Sequence, residues 1–307
     1  MPAERLSYFT IWNYSIYSNI LQVLIVLFFI APGNKRKCND VSWLYKDYIA
    51  HRGVFNNEEG IVENTKSAFL KAVDKHYSIE TDLHLTKDER IIIFHDNDFK
   101  RMCGVDKKTS ELTLREIKEL KLVNTDEKIL ELSEFLTLID GNTNLLLEFK
   151  SQSTKRDKIL CNKAMEILKD YKGLYAVQSF HPLIVRWFKK NYPIIARGQL
   201  FTIFDLKKEY KNAKGKKINK ILSVLVRWLY NNKLTNVFAR PVFITHNHKD
   251  INFMARVCHL FTPMIIYTVD DDKDFVKFEK KVDNIIFEKI NIEKYGRKQT
   301  SNSTKKF

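Results

Sequence analysis

Short apolar runs alternate with amphipathic segments along the chain after residue 45. Residues 91–94, residues 144–150 and Met264–Val269 have the length and composition of buried strands. Between such runs, apolar residues recur at helical spacing, as at Ala68 and Ala72. We count about eight strands over roughly 240 residues, which predicts a parallel α/β fold and favours a (β/α)₈ barrel.

The N-terminal segment has a different pattern. No charged residue lies between Tyr14 and Ala31, and residues 20–31 are almost all aliphatic or aromatic. A helix that spans a membrane needs roughly 20 apolar residues, so this run is near the lower limit. A cleaved signal peptide is the alternative, but no small-residue cleavage site precedes Pro32. We therefore predict one transmembrane helix within a membrane anchor over residues 1–34.

The charges around this segment predict its orientation. Lys35, Arg36 and Lys37 follow the apolar run, whereas Arg5 is the only basic residue before it. Basic flanks stay on the cytoplasmic side of a membrane. We therefore expect a single-pass protein of the cell membrane whose following domain is cytoplasmic. That domain is predicted over residues 45–292, with a disordered polar tail over residues 293–307.

One segment fits the barrel pattern poorly. A Lys-rich stretch precedes residues 218–229, whose apolar positions share one helical face (Ile218, Ile221, Leu222, Leu225 and Leu229). Basic residues surround that face (Lys216, Lys217, Lys220 and Arg227). The segment is either an ordinary barrel helix after a long loop or a helix that lies on anionic lipid. The two interpretations are compatible.

Composition restricts the partners. The chain has 52 Lys and Arg against 37 Asp and Glu, a net charge of +15, which suits a membrane surface, nucleic acid or a phosphate-bearing substrate. The alternative is that the positive charge reflects a compositional bias shared by the proteins of the source cell and indicates no particular partner. The basic residues form no recognisable nucleic-acid module, so we predict no nucleic-acid partner. The four cysteines are scattered, which is not the pattern of a disulfide framework or a zinc site.

Candidate chemistry begins in the strand that contains Glu80 and Asp82. Because side chains alternate along a strand, both carboxylates should point to the same face. The next short strand ends at His95 and Asp96. Two oxygen ligands beside an imidazole suit a hard divalent cation next to a general acid or base. A salt-bridged surface hairpin is the alternative.

Polar residues lie at the predicted C-terminal ends of several strands, including the two just described. They are His51, Glu80, Asp82, His95, Glu148, Lys150 and Ser179. In (β/α)₈ barrels the C-terminal strand ends carry the functional site. Polar side chains gathered at that edge alone are hard to explain by packing.

These motifs together resemble one family. The chain contains His51-Arg52-Gly53, Glu63-Asn64-Thr65, Glu80-Thr81-Asp82, Leu85-Thr86-Lys87-Asp88, His95-Asp96 with Arg101, Glu148-Phe149-Lys150, Ser179-Phe180 and Tyr267-Thr268-Val269 in this order. Their order and spacing resemble the glycerophosphodiester phosphodiesterase family. The run after Ser179, with Arg197-Gly198-Gln199-Leu200, is similar to a membrane-anchored bacterial subgroup.

The resemblance implies a fold and a set of site residues. The fold is a TIM barrel of the phospholipase C-like phosphodiesterase type. The cofactor is one divalent cation, Ca²⁺ or Mg²⁺, held by Glu80, Asp82 and Glu148. His51 and His95 would be the catalytic acid and base, and Arg52 and Lys150 would bind the substrate phosphate.

Some of these residues have simpler roles available. Arg52 could pair only with Asp96, and Lys150 could neutralise Glu148 and Glu80. Asp96 is expected to orient one of the histidines. Asn64 could be only a helix cap, and His84, on the face of Glu80 and Asp82, fits core packing better than metal binding.

The chain also departs from the family pattern. The family usually has Trp at position 267, where this chain has Tyr, and Gly at position 89 and near position 76, where it has Glu89 and His76. The first change could alter a pocket wall, whereas the other two should lie in a turn and at a helix exit. None affects an expected ligand or catalytic histidine.

The expected activity is metal-dependent hydrolysis of glycerophosphodiesters to glycerol 3-phosphate and an alcohol. Lysophospholipase D-type hydrolysis of membrane lysophospholipids is the alternative reaction. A metal-binding or lipid-sensing module with an inactive site is the non-enzymatic alternative, and the intact set of ligands and histidines disfavours it. The expected partners are a small phosphodiester or lysophospholipid substrate and membrane lipid, and the oligomeric state is not predicted.

Overall fold

The sheet closes on itself. A computed structural model describes residues 3–212 and 217–295. The strands are β1 (Ile49–His51), β2 (Ser78–Leu85), β3 (Ile91–Ile93), β4 (Asp98–Phe99), β5 (Val105–Lys108), β6 (Leu145–Phe149), β7 (Tyr175–Ser179), β8 (Arg197–Phe201), β9 (Phe243–Asn247), β10 (Met264–Val269) and β11 (Asn284–Phe287). Because β1 pairs in parallel with both β2 and β11, β1, β2 and β6 to β11 form a closed barrel of parallel strands.

Helices surround the barrel. They are α1 (Ala3–Ile30), α2 (Trp43–Lys46), α3 (Lys66–Asp74), α4 (Lys100–Cys103), α5 (Leu114–Glu119), α6 (Leu132–Ile139), α7 (Thr154–Leu168), α8 (Pro182–Asn191), α9 (Leu206–Asn212), α10 (Lys217–Asn231), α11 (Asn236–Ala239), α12 (Phe253–His259) and α13 (Asp272–Phe278). The predicted (β/α)₈ barrel is therefore confirmed.

Alternation along the strands separates an outer core from the barrel interior. Ile79 and Leu83 of β2 belong to the large cluster between strands and helices, whereas Glu80 and Asp82 have the opposite parity. A second cluster lies inside the barrel and includes strand residues Ile49, Leu146, Ala176, Phe243, Ile265 and Ile286. Trp43 and Leu44 of α2 join that cluster. Trp43, which precedes the first strand of the barrel, is thus a buried residue.

The segment between β2 and β6 adds a small structure at the C-terminal edge of the barrel. β3 runs antiparallel to the end of β2, and β4 pairs with β5 in a separate two-stranded sheet that the sequence pattern did not indicate. This segment has its own core, which includes Ile92, Phe94 and Phe99. The core supports the loop that carries His95.

The N-terminal helix is joined closely to the barrel. Ile30 at the end of α1 is buried, and the Gly33 amide donates to the Pro241 carbonyl at 2.7 Å. Arg240 Nη1 donates to the carbonyl oxygens of Phe28 at 2.7 Å and Ala31 at 3.0 Å. Among the described residues, the stretch Tyr17–Lys37 is long and apolar enough to cross a membrane, a test that a signal sequence also satisfies.

Two predicted segments reach beyond the described residues. The predicted helix over residues 218–229 is α10, but Lys216 lies outside the described part of the chain. The predicted tail begins inside a 3₁₀ turn, Ile292–Tyr295, whose Tyr295 stacks on Phe275. Residues 296–307 lie outside the described residues.

Two departures from the expected glycine pattern fall at left-handed backbone positions. His76 has φ 54° after the end of α3, and Glu89 has φ 59° in the turn between β2 and β3. Glycine adopts this conformation without the steric cost that a Cβ atom brings. The chain therefore carries some backbone strain in these two turns.

Packing inside the barrel yields a stability prediction. Gly198 on β8 pairs directly with Phe243 on β9, and a Cβ at Gly198 would lie 2.1 Å from Phe243 Cε2. We expect Gly198→Ala to lower the free energy of unfolding by about 1–3 kcal/mol because the interior is overpacked. Chemical denaturation of the full chain in detergent would measure this change.

The control is the double variant Gly198→Ala/Phe243→Leu. It should lose less stability than the sum of the two single losses, because the smaller side chain makes room for the methyl group. A Gly198→Ala protein as stable as the wild type would contradict the packing described for this layer.

Candidate active site

The register of the strands brings the predicted residues to one level. His51 on β1 lies opposite Glu80 on β2, and Asp82 lies opposite Glu148 on β6. Glu148 is in turn opposite Gln178 on β7. Since these positions share the interior parity, their side chains meet at the C-terminal end of the barrel.

Three buried carboxylates form the centre of this site. Oxygen atoms of Glu80, Asp82 and Glu148 lie within 4.8 Å of one another. Lys150 Nζ reaches two of these residues, at 2.9 Å from Asp82 Oδ1 and 2.7 Å from Glu148 Oε1. Arg52 Nε lies 3.5 Å from Asp82 Oδ2. Two cationic side chains therefore face three acidic ones.

The cluster spreads the pKa values of its members. Burial, together with the charges on Asp82 and Glu148, raises the pKa of Glu80 well above its usual range. Burial also acts to raise the pKa of Asp82, but Lys150 and Arg52 outweigh it and hold this pKa below its usual range. Burial lowers the pKa of Lys150, and the two adjacent carboxylates more than reverse this effect. Glu80 is thus the acid whose charge is least compensated.

The donor set fits a hard cation. Glu80 Oε2 is buried without a hydrogen-bond partner, and His51 Nε2 lies 4.0 Å from it. An unpaired buried carboxylate oxygen is costly unless an ion or a donor satisfies it. Converging carboxylate oxygens are the ligands that Ca²⁺ and Mg²⁺ prefer. An ion could therefore bind between Glu80, Asp82 and Glu148.

His51 is held by a residue that the sequence pattern did not reveal. Its Nδ1 atom lies 2.9 Å from Glu288 Oε2, directly after β11. Burial acts to raise the pKa of Glu288, but hydrogen bonding from His51 outweighs this effect and lowers the pKa to about 2. The ionised carboxylate can only accept, so Nδ1 carries the proton and Nε2 faces Glu80. Burial lowers the pKa of His51, which favours the neutral imidazole.

His95 has a similar arrangement. Its Nδ1 atom lies 2.7 Å from Asp96 Oδ1, and Asp96 is itself bound by Arg101 Nε at 2.7 Å. Arg101 also donates to Glu63 Oε1 at 2.7 Å, and Glu63 accepts from Arg52 Nη1 at 2.8 Å. Burial lowers the pKa of His95. One chain of ion pairs thus connects this histidine to Arg52.

An unusual backbone turn positions Arg52 and Asn64. Both residues have positive φ, 57° and 58°, and the Asn64 amide donates to the Arg52 carbonyl at 3.0 Å. Asn64 Nδ2 donates to Asp82 Oδ2 at 3.2 Å. At the intervening Gly53, a Cβ would lie 2.7 Å from the Ala68 carbonyl oxygen. Only glycine lets the chain pass this close to α3.

A cleft of about 430 Å³ opens beside the cluster. Its lining includes His95, Asp96, Glu148, Lys150, Ser179 and Phe180. Phe180 packs edge-on against Tyr267, with ring centroids 6.1 Å apart, and Tyr267 Oη donates to the Phe201 carbonyl at 3.0 Å. The tyrosine at position 267 thus contributes to the support of one wall.

Several alternatives can now be compared with the geometry. Arg52 pairs with Glu63 and not with Asp96, which is bound by Arg101. Lys150 pairs with Asp82 and Glu148, so Glu80 is not one of its close partners. His84 is buried below the site, with Nε2 3.2 Å from the His95 carbonyl oxygen. Asn64 contacts Asp82, and the cap position of α3 is Thr65.

Comparison with curated proteins identifies relatives. The profile of the Glycerophosphoryl diester phosphodiesterase family matches residues 51–291. An uncharacterized protein of Mycoplasma genitalium, MG293, is 26% identical over 257 residues, which cover 80% of this chain and 95% of that protein. A glycerophosphodiester phosphodiesterase of Caldanaerobacter subterraneus is 30% identical over 163 residues, or 50% of this chain and 65% of the enzyme.

A lysophospholipase D, GDPD1 of Rattus norvegicus, is 30% identical over 138 residues, or 41% of each chain. The chain thus matches less than two thirds of the length of either named enzyme. An Oleispira antarctica phosphodiesterase, solved in complex with the product sn-glycerol-3-phosphate, has a TM-score of 0.60 at 19% identity, covering 80% of this chain and 94% of that one. This likeness concerns the fold. Because the family profile spans most of the sequence, the chain belongs to the glycerophosphoryl diester phosphodiesterase family.

Proposed function

We propose that the protein hydrolyses glycerophosphodiesters to glycerol 3-phosphate and an alcohol, with one divalent cation and two histidines. The observation that carries this proposal is the convergence of Glu80, Asp82 and Glu148 beside His51 and Lys150 at the barrel edge. Family membership and the product-bound structural neighbour support the substrate class.

The basic side chains would bind the phosphate. Lys150 Nζ lies between two carboxylates and on the lining of the cleft, where it can contact a phosphoryl oxygen as a point charge. Arg52 is fixed by Glu63 and directs its guanidinium toward Asp82. A guanidinium held this way can donate to a phosphate oxygen without further ordering.

The cation would be held by Glu80, Asp82 and Glu148. When bound, it supplies Lewis-acid stabilisation of the negative charge that develops on the phosphoryl oxygens. The imbalance between three carboxylates and two cationic side chains supports this assignment.

The two histidines would divide the proton transfers. In each, a carboxylate holds Nδ1, so Nε2 is the atom left to exchange protons with the substrate. One imidazole starts neutral and takes the proton of the attacking hydroxyl group on Nε2, and the other starts protonated on Nε2 and gives that proton to the leaving alkoxide. Burial keeps the pKa values of both histidines below their usual value. The base is thereby held neutral, and the acid, once protonated, gives up its Nε2 proton readily.

The first test concerns the metal. The full chain in detergent, with glycerophosphocholine as substrate, should lose activity in EDTA and regain it with Mg²⁺ or Ca²⁺, because the carboxylates require a bound cation. Equilibrium dialysis should detect one bound ion in the wild type and weaker binding in Glu80→Gln. Full activity of a protein shown to be metal-free would refute the proposed role of the cluster.

The second test concerns His51 and its partner. We expect His51→Ala to reduce kcat by about 10²–10⁴-fold because one partner of the general acid–base catalysis is lost. Glu288→Gln should reduce kcat by a smaller factor at nearly unchanged KM, because it disturbs the tautomer and orientation of His51 but not substrate binding.

Circular dichroism and thermal unfolding should show that both variants retain the fold. Glu288→Asp, which keeps the charge, should recover part of the kcat. Wild-type turnover in His51→Ala would contradict the role assigned to the imidazole, and equal kcat in Glu288→Gln and the wild type would contradict that of Glu288.

A second candidate function is lysophospholipase D-type hydrolysis of membrane lysophospholipids. The relative named lysophospholipase D supports it. So does α1, whose last turn is packed on the barrel through Ile30 and Arg240. We propose that α1 is retained as a single-pass anchor in the cell membrane, as in the membrane-anchored bacterial subgroup, with the barrel in the cytoplasm.

Relative rates distinguish the two reactions. Lysophosphatidylcholine and glycerophosphocholine carry the same head group and differ in the acyl chain. If the substrate comes from the bilayer, kcat/KM for the lysophospholipid should exceed that for the deacylated diester, because the acyl chain adds apolar binding energy. Release of choline from each substrate by the full chain measures both rates. A higher value for the deacylated diester would favour the first reaction.

A further inference from the structure

Helix α10 presents its apolar side away from the protein. Exposed fractions along one face are 58% at Leu222, 49% at Leu225, 50% at Val226 and 46% at Trp228. Soluble barrel helices direct such a face toward the strands. Among the described side chains of α10, the apolar face points toward solvent instead.

The other face of α10 is polar and holds the helix to the barrel. Tyr230 Oη donates to the Leu200 carbonyl at the end of β8. Asn231 Oδ1 accepts from the Phe204 amide at 3.0 Å, and Arg227 lies over the Phe204 ring, 4.1 Å from its centroid. Since these positions lie across the helix from Leu222 and Leu225, the apolar face cannot turn inward without breaking them.

Helix α9 extends the apolar surface and supplies charge. It packs beside α10 around an apolar groove of about 500 Å³, lined by Leu206, Tyr210, Ile221 and Val224. Lys207, Lys208 and Lys211 lie on α9, and the 15-residue α10 contains no acidic residue. Lys220 lies over the Tyr210 ring, 5.6 Å from its centroid.

We propose that α9 and α10 dock on the surface of a lipid bilayer that contains anionic lipid. Apolar side chains with Trp on one side, flanked by basic residues, are the chemistry that partitions into the headgroup region. The net charge of +15 complements an anionic surface. A bilayer is also the environment for which the exposed apolar stretch Tyr17–Lys37 is suited.

The docking surface adjoins the site. The β8 end that anchors α10 also binds Tyr267, whose hydroxyl donates to the Phe201 carbonyl, and Tyr267 packs on Phe180 at the cleft. Docking therefore holds the cleft close to the lipid surface. This consequence for substrate access rests on the proposed function, whereas the docking itself does not.

Lipid contact can be measured directly. Leu222→Cys in the full chain, with Cys38 and Cys103 changed to Ser, is labelled with the fluorophore NBD and reconstituted in nanodiscs carrying nitroxide-labelled acyl chains. The matched control is Leu70→Cys on α3, which is exposed to 36% and follows β1, four strands around the barrel from β8. We expect strong quenching at position 222, increased by phosphatidylglycerol, and little at position 70.

Equal quenching at the two positions would overturn the proposal. So would a label at position 222 that is shielded by a second copy of the chain, which cross-linking through this cysteine would reveal.

Activity provides an independent measurement. Leu222→Glu/Leu225→Glu should lower the rate on lysophospholipid in anionic vesicles by at least about tenfold, because two leucines that would insert into the bilayer are replaced by charged side chains. The rate on soluble glycerophosphocholine should be unchanged. Unchanged rates on both substrates, or equal losses on both, would contradict docking. If the wild type hydrolyses neither substrate, the proposed function fails, and the quenching result still decides whether α10 binds lipid.

Discussion

The burial of three carboxylates around one point is the constraint on which the site depends. Glu80, Asp82 and Glu148 are almost completely removed from water, and Lys150 and Arg52 oppose the charge of Asp82 directly. Such a cluster persists only if the surrounding structure holds it in place. The closed barrel does so, because the register of β2 with β6 leaves Asp82 and Glu148 no alternative positions. The three carboxylates are therefore already positioned for the cation that we propose.

Around this centre, ion pairs fix the groups that would act on the substrate. Glu288 orients His51, and the connected pairs from Asp96 through Arg101 and Glu63 join His95 to Arg52. The linked residues lie between 5 and 237 positions apart in the sequence. Their combined effect is that both histidines and Arg52 have little freedom to change rotamer, which is the preorganisation that the proposed phosphoryl chemistry would require.

The sequence predicted the barrel and the shared face of Glu80 and Asp82 because both depend on short-range periodicity. It did not reveal Glu288, since the apolar pattern of the last strand ends at Phe287 and the following acid has no motif around it. The partner of Arg52 was also missed. Glu63 returns to Arg52 through a loop with left-handed residues at Arg52 and Asn64, and no periodicity predicts that path. The same strand-end argument, extended by one residue, would have found Glu288.

The junction of α1 with the barrel makes this helix part of the folded body. Arg240 caps carbonyl groups of its last turn, Gly33 is bound to Pro241, and Ile30 is buried in the outer core. Cutting the chain after this turn would uncover apolar surface and leave a guanidinium without its acceptors. The helix therefore cannot be removed or replaced without loss of these contacts. Any variant that keeps the contacts also keeps the angle between the helix and the barrel.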